Sequence, residues 1–262
     1  MWYNPVMPNA ETHLAAACNL LAQPEIKADF GWLAADAPHA AFLLGSISPD
    51  ARAISGQARE ATHFFTIPPA DTRPAPDVML ADWPALAAAH DTTQAAFIAG
   101  YMTHLIMDQA WVEMIVMPSL FIDDTKWNAR HPNWRLYCIL MTYLEYRAGP
   151  LLPAEIALSI AGARPKRWLP FVGDFFLRQW GGHVARIIQQ GGPRLLSSGL
   201  VKTCRMQSDE MEAIVLSESG MADEAYPTVP RDQIAAFEAE TAWRSRDIVI
   251  QYLSSQRGKA SL

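Results

Sequence analysis

Residues 100–111, GYMTHLIMDQAW, form one of the most apolar stretches of the chain and yet carry His104 and Asp108. The four-residue spacing puts both side chains on one face of a helix, one turn apart. Three further residues of metal-ligand type stand in suggestive contexts. His13 lies in ETHLAAA, Asp50 closes FLLGSISPD, where Gly45 and Pro49 mark a turn, and His63 lies in EATHFF. Neutral imidazole nitrogens and carboxylate oxygens suit zinc, with manganese and iron left open by donor type. Taken singly, each residue has a plainer reading. His104 and Asp108 can bond to each other, Asp50 suits a turn, and His13 and His63 fit surface or hydrogen-bonded core positions. Together they point to a bound divalent cation, because clustering five such groups among Phe64, Phe65, Leu105 and Ile106 is expensive without one.

The elements that must position these residues read as helices, and alternating strand patterns are scarce. Asn9 can cap a helix reaching about residue 23, with Glu11 in its first turn. Asp91 and Gln94 make a capping box before a long apolar run that stops at Pro118. Asn133 can cap a helix that ends at Gly149 and Pro150. Further helices are predicted over 153–162, 167–190, 205–219 and 231–255. Residues 67–84, rich in proline and aspartate, read as a long surface loop flanking a site. A composition change near 149–153 separates a core domain, residues 1–150, from a helical extension, residues 151–262, packed on it.

A chain of 262 residues, half apolar and 18% charged, has the composition of a globular protein with a sizeable core. Its net charge of −6 gives no bulk attraction to phosphate backbones, so nucleic acid is not expected as a structural partner. The run from 95 to 116 is long enough to span a bilayer, but it holds His104, Asp108, Gln109 and Glu113. Ionisable groups at that depth cost roughly 2.5 to 3.5 kcal/mol each, so no membrane span is expected. Cys18, Cys138 and Cys204 lie far apart and form no CxxC, which indicates neither a disulfide framework nor a thiolate zinc site. With no signal peptide visible, a reducing, cytoplasmic setting is the expectation. The nine tryptophans, among them Trp127, Trp134, Trp168 and Trp180, read as core rather than as a lipid-binding surface.

The order His13, GSISPD, THF and GYMTHLIMD closely resembles the zinc-dependent phospholipase C family, related to the S1/P1 nucleases. The resemblance covers roughly the first 110 to 150 residues. It implies an all-α, multi-helix bundle of the phospholipase C/P1 nuclease type, with residues 151–262 as an extension. It also implies a zinc ion on Asp50, His63, His104 and Asp108, and a second on Asp108 and His13. The family's second ion also takes the amine of a processed N-terminal residue, whereas here the chain continues upstream of His13. Its third site uses a histidine and an HxxxE pair, of which M141TYLE145 keeps Glu145 and H131PNWR135 keeps His131. The implied activity is hydrolysis of a small phosphoester or phospholipid-like substrate by a metal-activated water, with Asp50 orienting or deprotonating that water. Arg52, Arg59 and Arg130 are candidates, by position alone, for holding the phosphate.

Other hydrolytic arrangements fit less well. None of the seven histidines is followed by aspartate, as an HD-type phosphohydrolase needs. A di-iron bundle wants two ExxH motifs, and E60ATH63 is single. No GxSxG elbow is present. The alternative of another class is a non-hydrolytic relative in which four protein ligands close a structural metal.

Overall fold

The computed structural model describes residues 9–122, 130–191, 204 and 206–257. No β-strand occurs among them, as the periodicity predicts. In chain order the helices are α1 (Ala10–Ala22), α2 (Pro24–Asp29), α3 (Asp36–Gly45), α4 (Arg52–Ser55), α5 (Glu60–His63), α6 (Ala75–Asp82) and α7 (Thr92–Trp111). They continue with α8 (Trp134–Ala148), α9 (Ala154–Gly162), α10 (Asp174–Gln189), α11 (Ser208–Val215), α12 (Glu218–Glu224) and α13 (Arg231–Arg257).

Helix α7 is the axis of the fold. Every residue from 94 to 111 is buried, which is how a helix apolar on all sides must sit. It packs against α3, α13, α6 and α1. Its N-terminus closes as the capping box predicts on one side, Asp91 Oδ1 accepting from the Gln94 N–H at 2.8 Å. The Gln94 side chain instead accepts from the His90 N–H at 2.6 Å. The α3–α7 crossing is set by two glycines. A Cβ on Gly100 would collide with the Phe42 carbonyl, and one on Gly45 with the Phe97 carbonyl. Two helices with this reciprocal contact approach backbone to backbone, which draws residues 46–51, just after α3, against the middle of α7.

Several sequence expectations are adjusted. The run after Trp111 does not stop at Pro118. It widens into a π-helix over Val112–Leu120, with Phe121 N–H donating to Val116 O, five residues back, at 2.7 Å. Residues 67–84 are not all loop, because α6 forms there with Pro74 and Pro76 at its start, where a missing N–H removes nothing the helix needs. Gln109 of α7 completes that start, accepting from Ala75 N–H at 2.7 Å and donating to Arg73 O at 3.1 Å. The helix expected from 167 begins at Asp174, whose carboxylate is held by the Arg167 N–H at 2.8 and 2.9 Å. The helix expected over 205–219 is two helices, broken at Ser217, which caps α12 by accepting from Gly220 N–H at 2.9 Å. Residue 205 lies outside the described residues.

The tail packs on the first part of the chain: α9 lies on α3 and α10, and α13 along α7. Trp180 donates to Ile47 O at 2.6 Å, tying α10 to the turn that carries Asp50. Trp134, Trp168 and Trp180 are buried, in line with the core reading, while Trp127 lies outside the described residues. Cys138 of α8 and Cys204 are joined by a disulfide, which corrects the expectation of no pairing. Sequence spacing carries no information about which distant thiols the fold brings together. Because such bonds persist in oxidising surroundings, the cysteine-based expectation of a reducing compartment loses its basis. No helix of the described residues is long and apolar enough to cross a membrane.

Candidate metal centre

Four elements bring the five predicted residues to one place. His13 comes from α1, Asp50 from the 3-10 turn Ser48–Ala51, His63 from the end of α5, and His104 and Asp108 from α7. The chain leaves α3 through two side-chain bonds, Ser46 Oγ to Leu43 O at 2.9 Å and Ser48 Oγ to Leu44 O at 2.7 Å, which direct Asp50 inward. Helix α5 stops at His63 because Phe64 takes a left-handed conformation, φ 61°, uncommon for a bulky residue. Its ring is held edge-on to Phe171 at 5.3 Å. Asp50 is 9% exposed and the other four are 2% or less.

The carboxylate of Asp108 is the hub. Its Oδ1 lies 3.3 Å from His13 Nε2, and its Oδ2 lies 3.3 Å from His63 Nε2 and 3.5 Å from His104 Nε2. Asp50 Oδ1 lies 3.6 Å from His63 Nε2. The His13 and His104 rings stack with centroids 3.7 Å apart and planes 8° from parallel. Burial pushes the Asp108 carboxyl up, but the charge of His104 and the close approach of all three imidazoles outweigh it and hold it well below the usual carboxylate range. Burial lowers His104, yet Asp108 overcomes this and raises it. His13 ends lowered, by burial and by the charge of His104.

The outer nitrogens fix the tautomers. His104 Nδ1 lies 2.8 Å from Ser46 O, and a carbonyl only accepts, so Nδ1 carries the proton. His63 Nδ1 lies 2.9 Å from Thr62 Oγ1, whose one proton goes to Arg59 O at 3.2 Å, so Nδ1 must donate here too. In the neutral rings both Nε2 atoms then present lone pairs to the centre. Neither makes a hydrogen bond, and Asp108 Oδ1 accepts none. The separations of 3.3 to 3.6 Å exceed good hydrogen-bond lengths of about 2.7 to 3.2 Å. They match what two ligands about 2.0 to 2.1 Å from one tetrahedral ion would show, roughly 3.4 Å. The donor set therefore fits a cation better than a hydrogen-bonded cluster.

Two overlapping groups have ligand atoms within 4.8 Å of one another: His13, His104 and Asp108, and Asp50, His63 and His104. They share His104, whose Nδ1 is committed to Ser46, so one imidazole nitrogen serves both groups and only one ion can use it.

The remaining sequence candidates fall elsewhere. His131 is buried in the turn before α8, its Nδ1 accepting from Asn133 N–H at 3.1 Å, and belongs to neither group. Glu145, fully buried on α8, also belongs to neither. Its neighbour is Glu11, in the first turn of α1 as expected and fully buried. None of the four oxygens of this pair has a hydrogen-bond partner. Burial pushes the Glu11 carboxyl up to about 7, and burial with the charge of Glu11 raises Glu145 well above the usual range.

Arg59 is a site residue whose role the sequence left open. Its Nη2 lies 3.4 Å from Asp108 Oδ2, its Nη1 donates to Phe65 O at 3.2 Å, and its guanidinium lies 4.3 Å from the centre of the Phe65 ring. Arg59 precedes His63 by four residues, one helical turn, and that spacing was the available signal. Arg130 is exposed and Arg52 half-buried.

The chain is thus an all-helical protein with a buried histidine–aspartate cluster suited to a metal ion. Comparison with protein-family models, with curated proteins and with solved structures finds no match.

Proposed function

We propose that this protein is a metal-dependent hydrolase of phosphoesters, of the phospholipase C type, with zinc as the ion. The observation that carries this reading is the set of unpartnered Nε2 lone pairs of His63 and His104 around the Asp108 carboxylate, at spacings suited to a shared cation. His63, His104 and Asp108 would hold the ion, with His13 or Asp50 completing the set. A bound zinc supplies a Lewis acid and a water acidified from a pKa of about 15.7 toward 7. Ser46 and Thr62 keep the two imidazoles oriented for ligation. Arg59 locks the Asp108 carboxylate and adds positive charge near the phosphoryl group. Asp50, less buried than the rest, orients the attacking water and takes its proton.

The burial of all five residues favours a second reading, in which four of them close a structural ion and leave no water position. Metal analysis of purified protein, with an anomalous map at the centre, tests what both readings share. Absence of metal at His63, His104 and Asp108 under metal-replete conditions would overturn both. Assays on phosphocholine esters and on single-stranded nucleic acid then separate them. Asp108→Asn lowers stability in either reading because it breaks the pair with Arg59; it should also abolish turnover by the folded variant if the ion is catalytic, and should change stability alone if the ion is structural.

A further inference from the structure

A cavity of about 290 Å³ lies where α1, α7, α8 and α13 meet. It holds the volume of about ten waters and sits at the lower end of ligand pockets, about 300 to 1,000 Å³. The gap is written into the helices. On α13, Thr241, Ala242 and Ser245 face it, and on α1, Thr12, Ala15, Ala16 and Asn19. Small side chains on both facing surfaces cannot interdigitate to fill the space, as protein interiors otherwise do.

The lining is chemically selective. Leu20, Met107, Leu144 and Phe237 give it apolar walls. Its charged members, Arg147 and Glu238, are spent on each other, with Nη–Oε bonds of 2.7 and 3.2 Å. Of the neutral polar lining, Thr103 Oγ1 donates to Gly100 O at 2.7 Å, while Thr241 Oγ1, Thr12 Oγ1 and Gln23 Oε1 have no hydrogen-bond partner, and Thr241 is only 3% exposed. Buried hydroxyl and amide groups are normally paired.

We infer that this cavity is a binding site for a small neutral molecule with an apolar body and a hydroxyl group, which would seat its body against the leucines, methionine and phenylalanine and pair its hydroxyl with Thr241 or Gln23 once that side chain turns its oxygen, now covered, toward the cavity. An acid or amine would bring a charge with no free counter-charge in the lining. The site is distinct from the metal centre, since Thr12, Thr103 and Met107 are chain neighbours of His13, His104 and Asp108 but face another side of α1 and α7. It also gives the C-terminal helix a role, because α13 closes one wall. The inference is independent of the metal reading.

Benzyl alcohol and toluene are suitable probes, titrated into the full-length protein and followed by amide NMR shifts. Saturable binding of both is expected, with shifts confined to the four helices. Thr241→Val, which keeps the shape and removes the hydroxyl, should weaken benzyl alcohol about three- to tenfold and leave toluene unchanged or tighter. Ala242→Trp should abolish both, and if it does not fold, Ala16→Phe fills the cavity from the opposite wall. Lack of saturable binding to the wild-type protein, meaning a cavity that holds water only, would overturn the proposal. So would equal responses of the two probes to Thr241→Val, or binding that survives a folded cavity-filling variant.

Discussion

Replacing Gly100 by alanine should damage both the fold and the metal centre, although the residue is apolar, buried and ligates nothing. The added Cβ would overlap the Phe42 carbonyl oxygen and come within 2.9 Å of the Phe42 carbonyl carbon. Both are backbone atoms, so no side chain can swing aside, and α3 and α7 must part by about 1 Å to restore ordinary contact. Overpacking of this kind costs about 1 to 3 kcal/mol. Parting the helices also stretches the 2.8 Å bond between His104 Nδ1 and Ser46 O, and an unmade buried bond adds about 1 to 3 kcal/mol. Against this stands the helix preference of alanine over glycine, about 1 kcal/mol. The net expectation is a loss of about 1 to 5 kcal/mol, or roughly 2 to 20 °C in Tm for a chain of this size. Losing the bond that orients a ligating imidazole lowers metal affinity about 10- to 100-fold. Urea denaturation and competition with a chromogenic zinc chelator read the two effects separately. Gly182→Ala on α10 is the internal control, because a Cβ there meets nothing within 4 Å, and it should be neutral or stabilising by up to about 1 kcal/mol. If Gly100→Ala proves as stable as Gly182→Ala and binds zinc like the parent, the close α3–α7 approach is not what positions His104.

Zinc should stabilise the protein by about 4 kcal/mol at a thousandfold excess over its Kd, and His63→Ala should remove that increment; melts with zinc and with chelator that coincide for the parent chain would contradict the centre. Asp108→Asn should cost the metal-free protein about 3 to 5 kcal/mol, because the buried Arg59 then loses its ion-pair partner; an unchanged urea midpoint in chelator would refute that. Glu11 has its carboxyl raised to about 7 from 4.5. Between those values the unfolded chain has released its proton and the folded protein has not, so stability falls as pH rises, by about 2 to 4 kcal/mol. Glu11→Gln should therefore match the parent near pH 4.5 and exceed it by that amount at pH 8, and parallel pH profiles for the two would show that Glu11 ionises freely.

Much of the site was legible because it is local. His104 and Asp108 share a face through helical spacing alone, and Asp50 and His63 each sit where a short element ends, at Ser48–Ala51 and Glu60–His63. Capping places the start of α7 at Asp91 as the sequence reads it, whereas Asn9 and Asn133 stand before α1 and α8 as expected but make no side-chain capping bond. Errors arose where partners are distant. The prolines at 74 and 76 read as breakers because the Gln109 side chain that completes the start of α6 comes from another helix. Glu11 read only as a first-turn residue of α1, because nothing near it in the chain announces α8.

The sequence by itself determined the helical class, the inventory of ligand-type residues and which of them share a helix face, since these follow from periodicity over a few residues. Tertiary structure alone decided that three histidines meet at the Asp108 carboxylate and that Asp50 joins them through His63. It also decided which imidazole nitrogens stay open, that Arg59 holds Asp108, that Glu11 and Glu145 are buried together, and that Cys138 reaches Cys204. The reason is that each depends on helix crossings, and those are set by packing details such as the Gly45–Gly100 contact that no local pattern encodes.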